Sequence, residues 1–498
     1  MKKLLALLLC LTLGMALVLP ASAEQPAAGY PVDFTEDPYE VRMIMAVQVQ
    51  VPTQAGMDHV MEELNKLTLR DLNMTLKLEI LDFSQFAQNV PLALASREKI
   101  DLVALPFGHV VQMAAAGYLS DMNPLLETYG SHIVDTYTSE TLARVCTMNG
   151  GLYGVPVHKE NCNQMVIVFP TAVLERNGID PSEITDVPTM NAAFEKMAAN
   201  EPGKWVTAAG KNYGGMFYLH DFSICGGNYG PCLMNMDQSS KVENYYASQE
   251  YADYVRIVRE WNQKGWINPA AATDDQYFMT VFAGQALSFV FNYNHPLSKP
   301  ELTQALGQDV TLIPLSDQYA TTESSAAWNY TIPIGSTHPE KAMMMLDYLM
   351  TSKEAANLLN WGVNGEDYVE KDGVLDYPEG KDITSVPYHF GQGWILPNQF
   401  VCTPWINEGA DIYERVIEYN KASRESLALG FVLDTTNIAN ELAAVSVVNT
   451  EYVNALNTGA VDPEEYLPMF LQAQEEAGMQ TIIDEIQRQL DAFLAAKK

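Results

Sequence analysis

Positive charge is what this chain has least of: 29 Lys and Arg stand against 62 Asp and Glu, a formal net charge of −33. Binding to nucleic acid or to an anionic lipid surface needs cationic side chains that displace counterions, so both partner classes are excluded. Cysteine is also scarce, six in 498 residues. Cys225 and Cys232 bracket a Gly- and Pro-rich turn that a disulfide would close, but their spacing fits neither a zinc knuckle nor a redox pair. A chain of this length needs no cross-links for its core, so free thiols are the other reading. Beyond the N-terminus no apolar run reaches the roughly 20 residues of a membrane helix. Catalytic signatures are missing too: there is no H-E-x-x-H, no G-x-S-x-G, no phosphate loop and no dinucleotide glycine pattern. Ser96-Arg97-Glu98-Lys99 matches S-x-x-K without its companion motifs and reads as a polar turn. No stretch carries the Asp/Asn ladder of a calcium loop. No cofactor and no metal are expected.

What is present starts with an export signal over 1–23. Lys2 and Lys3 precede an uncharged run from Leu4 to Leu19, and Ala21-Ser22-Ala23 supplies the small-x-small cleavage pattern. Removing it leaves 27 basic residues and a charge of −35. Cys10 lies inside the apolar run and follows Leu9, so a lipid anchor there is not expected. Residues 24–38, rich in Pro, Ala and Gly, read as a flexible lead-in. A buried strand (40–47), a helical face of Val60, Leu64 and Leu67, an alternating strand (75–81), a helix over 86–96 broken before Pro91 and a strand over 101–105 follow. That alternation predicts an α/β lobe with a largely parallel sheet. Residues 152–157 read as a crossover, 165–169 open a second α/β unit, and 286–292 and 310–314 are later strands. Met479, Ile482, Ile483, Ile486, Leu490 and Phe493 keep helical spacing near the C-terminus.

The 62 acids offer many accidental carboxylate pairs. Asp274-Asp275 and Glu366-Asp367 are adjacent in sequence, and neighbours on a strand face opposite ways, so neither marks an acid/base pair. Aromatics are more informative. Phe289–Tyr293, Ala327–Tyr330, Asn360–Gly362 and Gly393–Ile395 place rings in Gly- and Asn-rich contexts at the expected ends of elements. Ligands of open α/β sheets bind beyond strand ends, where ring faces stack on the C–H faces of a sugar and amides meet its hydroxyls. Core packing is the competing role for each ring.

The order of segments resembles the extracellular solute-binding proteins of bacterial ABC sugar importers, the maltose-binding-protein-like family. The resemblance rests on 92–96 before the 101–103 strand, Gly117 to Leu126, the Tyr153-Gly154-Val155-Pro156 crossover, and Ile332-Pro333-Ile334-Gly335 before His338-Pro339-Glu340-Lys341-Ala342. Asn360 to Tyr368 is similar to the N-Y-G-I-E-G-K-H-Y element of a subgroup of oligosaccharide and aldouronate binding lipoproteins, with Glu366-Asp367 in place of Lys-His. The resemblance implies a two-lobed α/β clamshell of type II with a helical C-terminal extension. Lobe 1 is expected over 39–155 and 310–335, lobe 2 over 156–309 and 336–498. It implies a monomer that closes on an oligosaccharide-like solute, without chemistry, and delivers it to the transmembrane subunits of a permease. The candidate contacts are Gln48, Gln50, Phe107, His158, Phe291, Tyr293, Trp328, Trp361 and Trp394. A peptide or other polar solute, and a secreted glycoside hydrolase or lyase, are the alternatives.

Overall fold

The computed structural model describes residues 29–47, 52–137, 146–148, 150–211, 220–225, 229–274, 277, 279–292 and 294–497. Its principal elements begin with β1 (Tyr39–Val47), α1 (Gln54–Leu72), β2 (Met74–Asp82), α2 (Phe83–Ala95), β3 (Leu102–Pro106), α3 (Phe107–Ala115), β4 (Val155–Pro156) and β5 (Val166–Pro170). They continue with α4 (Gln249–Gln263), β6 (Phe289–Phe291), α5 (Ser298–Leu306), β7 (Val310–Pro314), β8 (Trp328–Thr331), α6 (Pro339–Thr351) and α7 (Lys353–Trp361). The chain closes with α8 (Ile412–Lys421), α9 (Ala439–Asn457), α10 (Pro463–Glu476) and α11 (Met479–Ala496).

Met43, Ile44, Met45 and Ala46 are buried one after another in β1. A strand apolar on both faces is the signature of a sheet covered by helices on both sides. The first sheet runs β2-β1-β3-β8-β4, with β1 parallel to both β2 and β3 and only β8 reversed. Val47 lies opposite Asp82, and Trp328 opens β8 opposite Pro106 at the end of β3. The C-terminal ends of the parallel strands and the start of the reversed strand therefore share one edge. The second sheet, β6-β5-β7, is antiparallel throughout, and all five residues of β5 are buried. Its core takes in Tyr251, Tyr254 and Trp261 of α4 with Val453, Leu456 and Phe470 of α9 and α10. Met479, Ile482, Ile486 and Leu490 of α11 pack with Leu442 and Val445 into a third cluster, as their spacing predicts.

Several expectations differ from the packing. β7 pairs with β5, not with the first sheet. In α6, Ala342 to Met350 are buried without interruption, and together with Ala355 and Leu359 of α7 they fill the first core. The chain order of strands and helices does not say which of two sheets a helix covers, so 310–314 and 339–361 stand on the opposite side from the expected division. Helix α2 continues through Pro91 without a break. The expected flexible lead-in is docked where it is described. Tyr30 is 8% exposed, its hydroxyl donates to Asp347 at 2.9 Å, and the Asn73 amide donates to the carbonyls of Asp33 and Glu36. One anchoring ring sets that segment, which composition averages conceal.

Candidate functional site

Three partly exposed rings meet at the edge where β2 and β3 end. Asp82 caps α2 by accepting the Gln85 amide at 2.9 Å, which turns the chain at the strand end and leaves Phe83 on the helix's first position, 38% exposed. Trp328 starts β8 beside it, and Trp394 sits in the single turn Gly393–Ile395. Ring centroids lie 5.8 Å apart for Phe83–Trp328, 5.8 Å for Trp328–Trp394 and 6.4 Å for Phe83–Trp394, the last pair nearly parallel at 25°. Phe86 backs Trp328 edge-on at 6.0 Å from within the core. The platform is held from below. Tyr330, fully buried in β8, donates its hydroxyl to the Ile395 carbonyl at 2.8 Å and so ties the Trp394 turn to the Trp328 strand. Such half-open aromatic faces at a strand-end crevice offer stacking surface to a ring-shaped ligand.

The candidate residues divide accordingly. Trp328 and Trp394 come together. Phe107 does not join them: it is 3% exposed and belongs to the first core. Trp361 is 5% exposed, donates its indole N–H to the Thr403 carbonyl at 3.1 Å and packs with Trp405, Tyr368 and Leu375. His158 is half-buried between the edges of Tyr137 and Phe400. Burial pushes its imidazole down to about 4, so it is neutral near pH 7. Phe291 packs against the β5–β7 side of the second sheet. Gln48, Gln50 and Tyr293 lie outside the described residues. Phe83 is the residue the sequence reading overlooked, although Asp82-Phe83-Ser84-Gln85 carries the acceptor-x-x-Gln spacing of a helix start at a strand's end.

A second depression opens between α5, whose Leu302 and Leu306 rest on the second sheet, and the 360–413 region packed on the first core. Its empty space, including the part open to solvent, is about 430 Å³. Glu301, Gln304, Asn360, Trp361, Gln399, Trp405, Glu408 and Tyr413 contribute to its wall. Burial, reinforced by Glu160 and Glu408, pushes the Glu301 carboxyl up to about 8; burial pushes Glu408 up to about 7. Near this junction Lys159 and Glu160 form a buried ion pair, with His295 Nε2 3.8 Å from Glu160 Oε1. The Cys225 side chain, and with it the Cys225–Cys232 pairing, lies outside the described residues; Cys146, Cys162 and Cys402 are buried free thiols. Among the described residues no helix is long and apolar enough to cross a membrane.

Comparison with known proteins matches residues 61–362 to the family model "Bacterial extracellular solute-binding protein" and residues 427–495 to a domain of unknown function. A carbohydrate ABC transporter substrate-binding protein of Streptococcus pneumoniae is 25% identical over 462 residues, covering 89% of each chain. Among solved structures, the N-glycan transport solute binding protein NgtS of Streptococcus pneumoniae superposes with a TM-score of 0.83 at 21% identity, covering 92% of this chain and all of that one. The alginate-binding protein AlgQ2 gives 0.58 at 14% identity, covering 93% of this chain and 100% of its own. These likenesses establish a two-lobed α/β fold. With a family model spanning more than half of its length, the chain belongs to the bacterial extracellular solute-binding proteins.

Proposed function

We propose that this protein is the exported binding component of an ABC importer and that its solute is an oligosaccharide, gripped at the Phe83–Trp328–Trp394 platform and handed on unaltered. The observation that carries the reading is the three-ring face itself, half-open at the strand-end edge and braced by the Tyr330 hydroxyl. The relatives agree in kind: one is a carbohydrate ABC transporter binding protein, and NgtS has been solved with Man1GlcNAc and with Man5GlcNAc. The lobes are then the two cores, with α6 and α7 on the first, and a ligand at the platform draws the second lobe onto it. Closure on ligand requires tighter binding in the closed form, and that form is what the permease's transmembrane subunits would read. A monomer suffices for this, with the leader removed on export. The test is a calorimetric titration with a panel of N-glycan, alginate-type and plant-derived oligosaccharides, followed by chromatography of the recovered sugar. A saturable single-site heat with the sugar returned intact supports the reading. Cleavage of the sugar, or no saturable heat from any sugar of the panel, would overturn it.

A further inference from the structure

The depression between α5 and the 391–413 segment holds groups that glycan stacking does not use. Glu301, Glu408 and Gln399 face it together with Trp361, Trp405 and Tyr413, and among the described residues no Lys, Arg or His lines it. Gln399 is 5% exposed, and among the described residues its side-chain oxygen has no hydrogen-bond partner. A buried acceptor left unmatched carries a desolvation cost that an occupant bearing N–H donors would offset. The carboxyls are acceptors as well, and electron-rich rings attract cations. We propose that this pocket binds a small organic cation, with a primary ammonium group seated between Glu301 and Glu408 against the Gln399 amide oxygen. An organic cation suits it better than a metal ion, because among the described residues no three His, Cys, Asp or Glu side chains are grouped as ligands.

The neighbouring charges leave that role open. Lys159 acts on Glu301 but is ion-paired to Glu160, which His295 also faces. Arg415 acts on Glu408 from the rim while bonded to the Glu408 carbonyl and to Asp411. Burial holds Glu301 and Glu408 protonated up to about 8 and about 7, so seating an ammonium group drives protons off. Binding should therefore tighten as pH rises through that range.

The proposal does not depend on the glycan reading. Its test is calorimetric titration of the mature chain with 1,4-diaminobutane, and with 1,4-butanediol as the uncharged match, at physiological salt. The expected result is one diamine site, no diol binding, and heats that vary with buffer ionisation because protons are released. Glu301→Gln and Glu408→Gln should each weaken diamine binding by about tenfold or more, the loss of one charged hydrogen bond. Should either variant fail to fold, the diamine–diol contrast and the pH dependence of the unsubstituted protein decide alone. Equal binding of diamine and diol, no binding of either, or diamine affinity indifferent to both substitutions and to pH would overturn it.

Discussion

Trp394 and Trp328 present faces, so their contribution to a sugar complex is area and dispersion rather than charge. Trp394→Ala removes one wall of the platform while leaving the first sheet intact. At about 1 kcal/mol for a stacked aromatic pair, glycan affinity should fall about five- to tenfold, read by titration calorimetry. Tyr330 acts one step back, as a positioning residue. Tyr330→Phe strands the Ile395 carbonyl, which now accepts at 2.8 Å, and should lower stability by about 1–3 kcal/mol. It should also weaken glycan binding although the buried Tyr330 ring itself meets no sugar, whereas a purely structural role would move the urea midpoint and leave affinity unchanged. Sequence context alone separated these residues only in part. Trp328, Trp394, Phe107 and Trp361 all sit at element ends, yet two are half-open and two are 3% and 5% exposed. The direction in which a ring leaves the first turn of a helix depends on the cap and on the covering layer, and neither is written in residue type.

The strands and helices of the first lobe were legible because their periods differ: β1 is apolar without a break from Met43 to Val47, while α1 buries Val60, Leu64 and Leu67 at helical spacing. Partnership was harder to read than type. Helix α6 buries nine consecutive residues, a pattern that marks a helix enclosed on all sides without saying by what. The α7 terminus shows how tight such enclosure becomes. Gly362 ends the helix at φ +95°, and a Cβ there would lie 2.3 Å from Asp367 Oδ2. Asp367 in turn accepts the amides of Val363 and Tyr388, each at 2.8 Å. The acid that departs from the resembling motif thus ties together its own loop. Gly362→Ala combines a disfavoured backbone conformation with displacement of that carboxylate, so a loss of at least about 2 kcal/mol is expected in chemical denaturation. Val363→Ala, one residue on, serves as the comparison that keeps both amides and the glycine.

At the scale of the whole molecule, two cores meet across the depression that holds Glu301 and Glu408, and their acids give the joint a pH dependence opposite to that of the surface. A glutamate in the unfolded chain ionises near 4.5, whereas folded Glu301 keeps its proton up to about 8. Between those values the unfolded state binds fewer protons than the folded one, so this group's contribution to stability falls as pH rises and is constant above about 8. Glu201, held down to about 2 by hydrogen bonds from Arg176 and Asn177 that outweigh its partial burial, works the other way, losing its contribution only as pH drops below 4.5. The two windows do not overlap, which makes the effect separable. His158 and His389, held neutral by burial down to about 4, pull the other way below about pH 6.5, so the effect is read as a difference. Between about pH 5 and pH 8 the urea midpoint of the unsubstituted protein should fall relative to that of Glu301→Gln, which keeps a neutral polar group in place, while the acid limbs of the two coincide. A difference between the two proteins that stays constant over that interval, or that runs the other way, would show that Glu301 is ionised in the folded joint and that burial between the cores does not govern it.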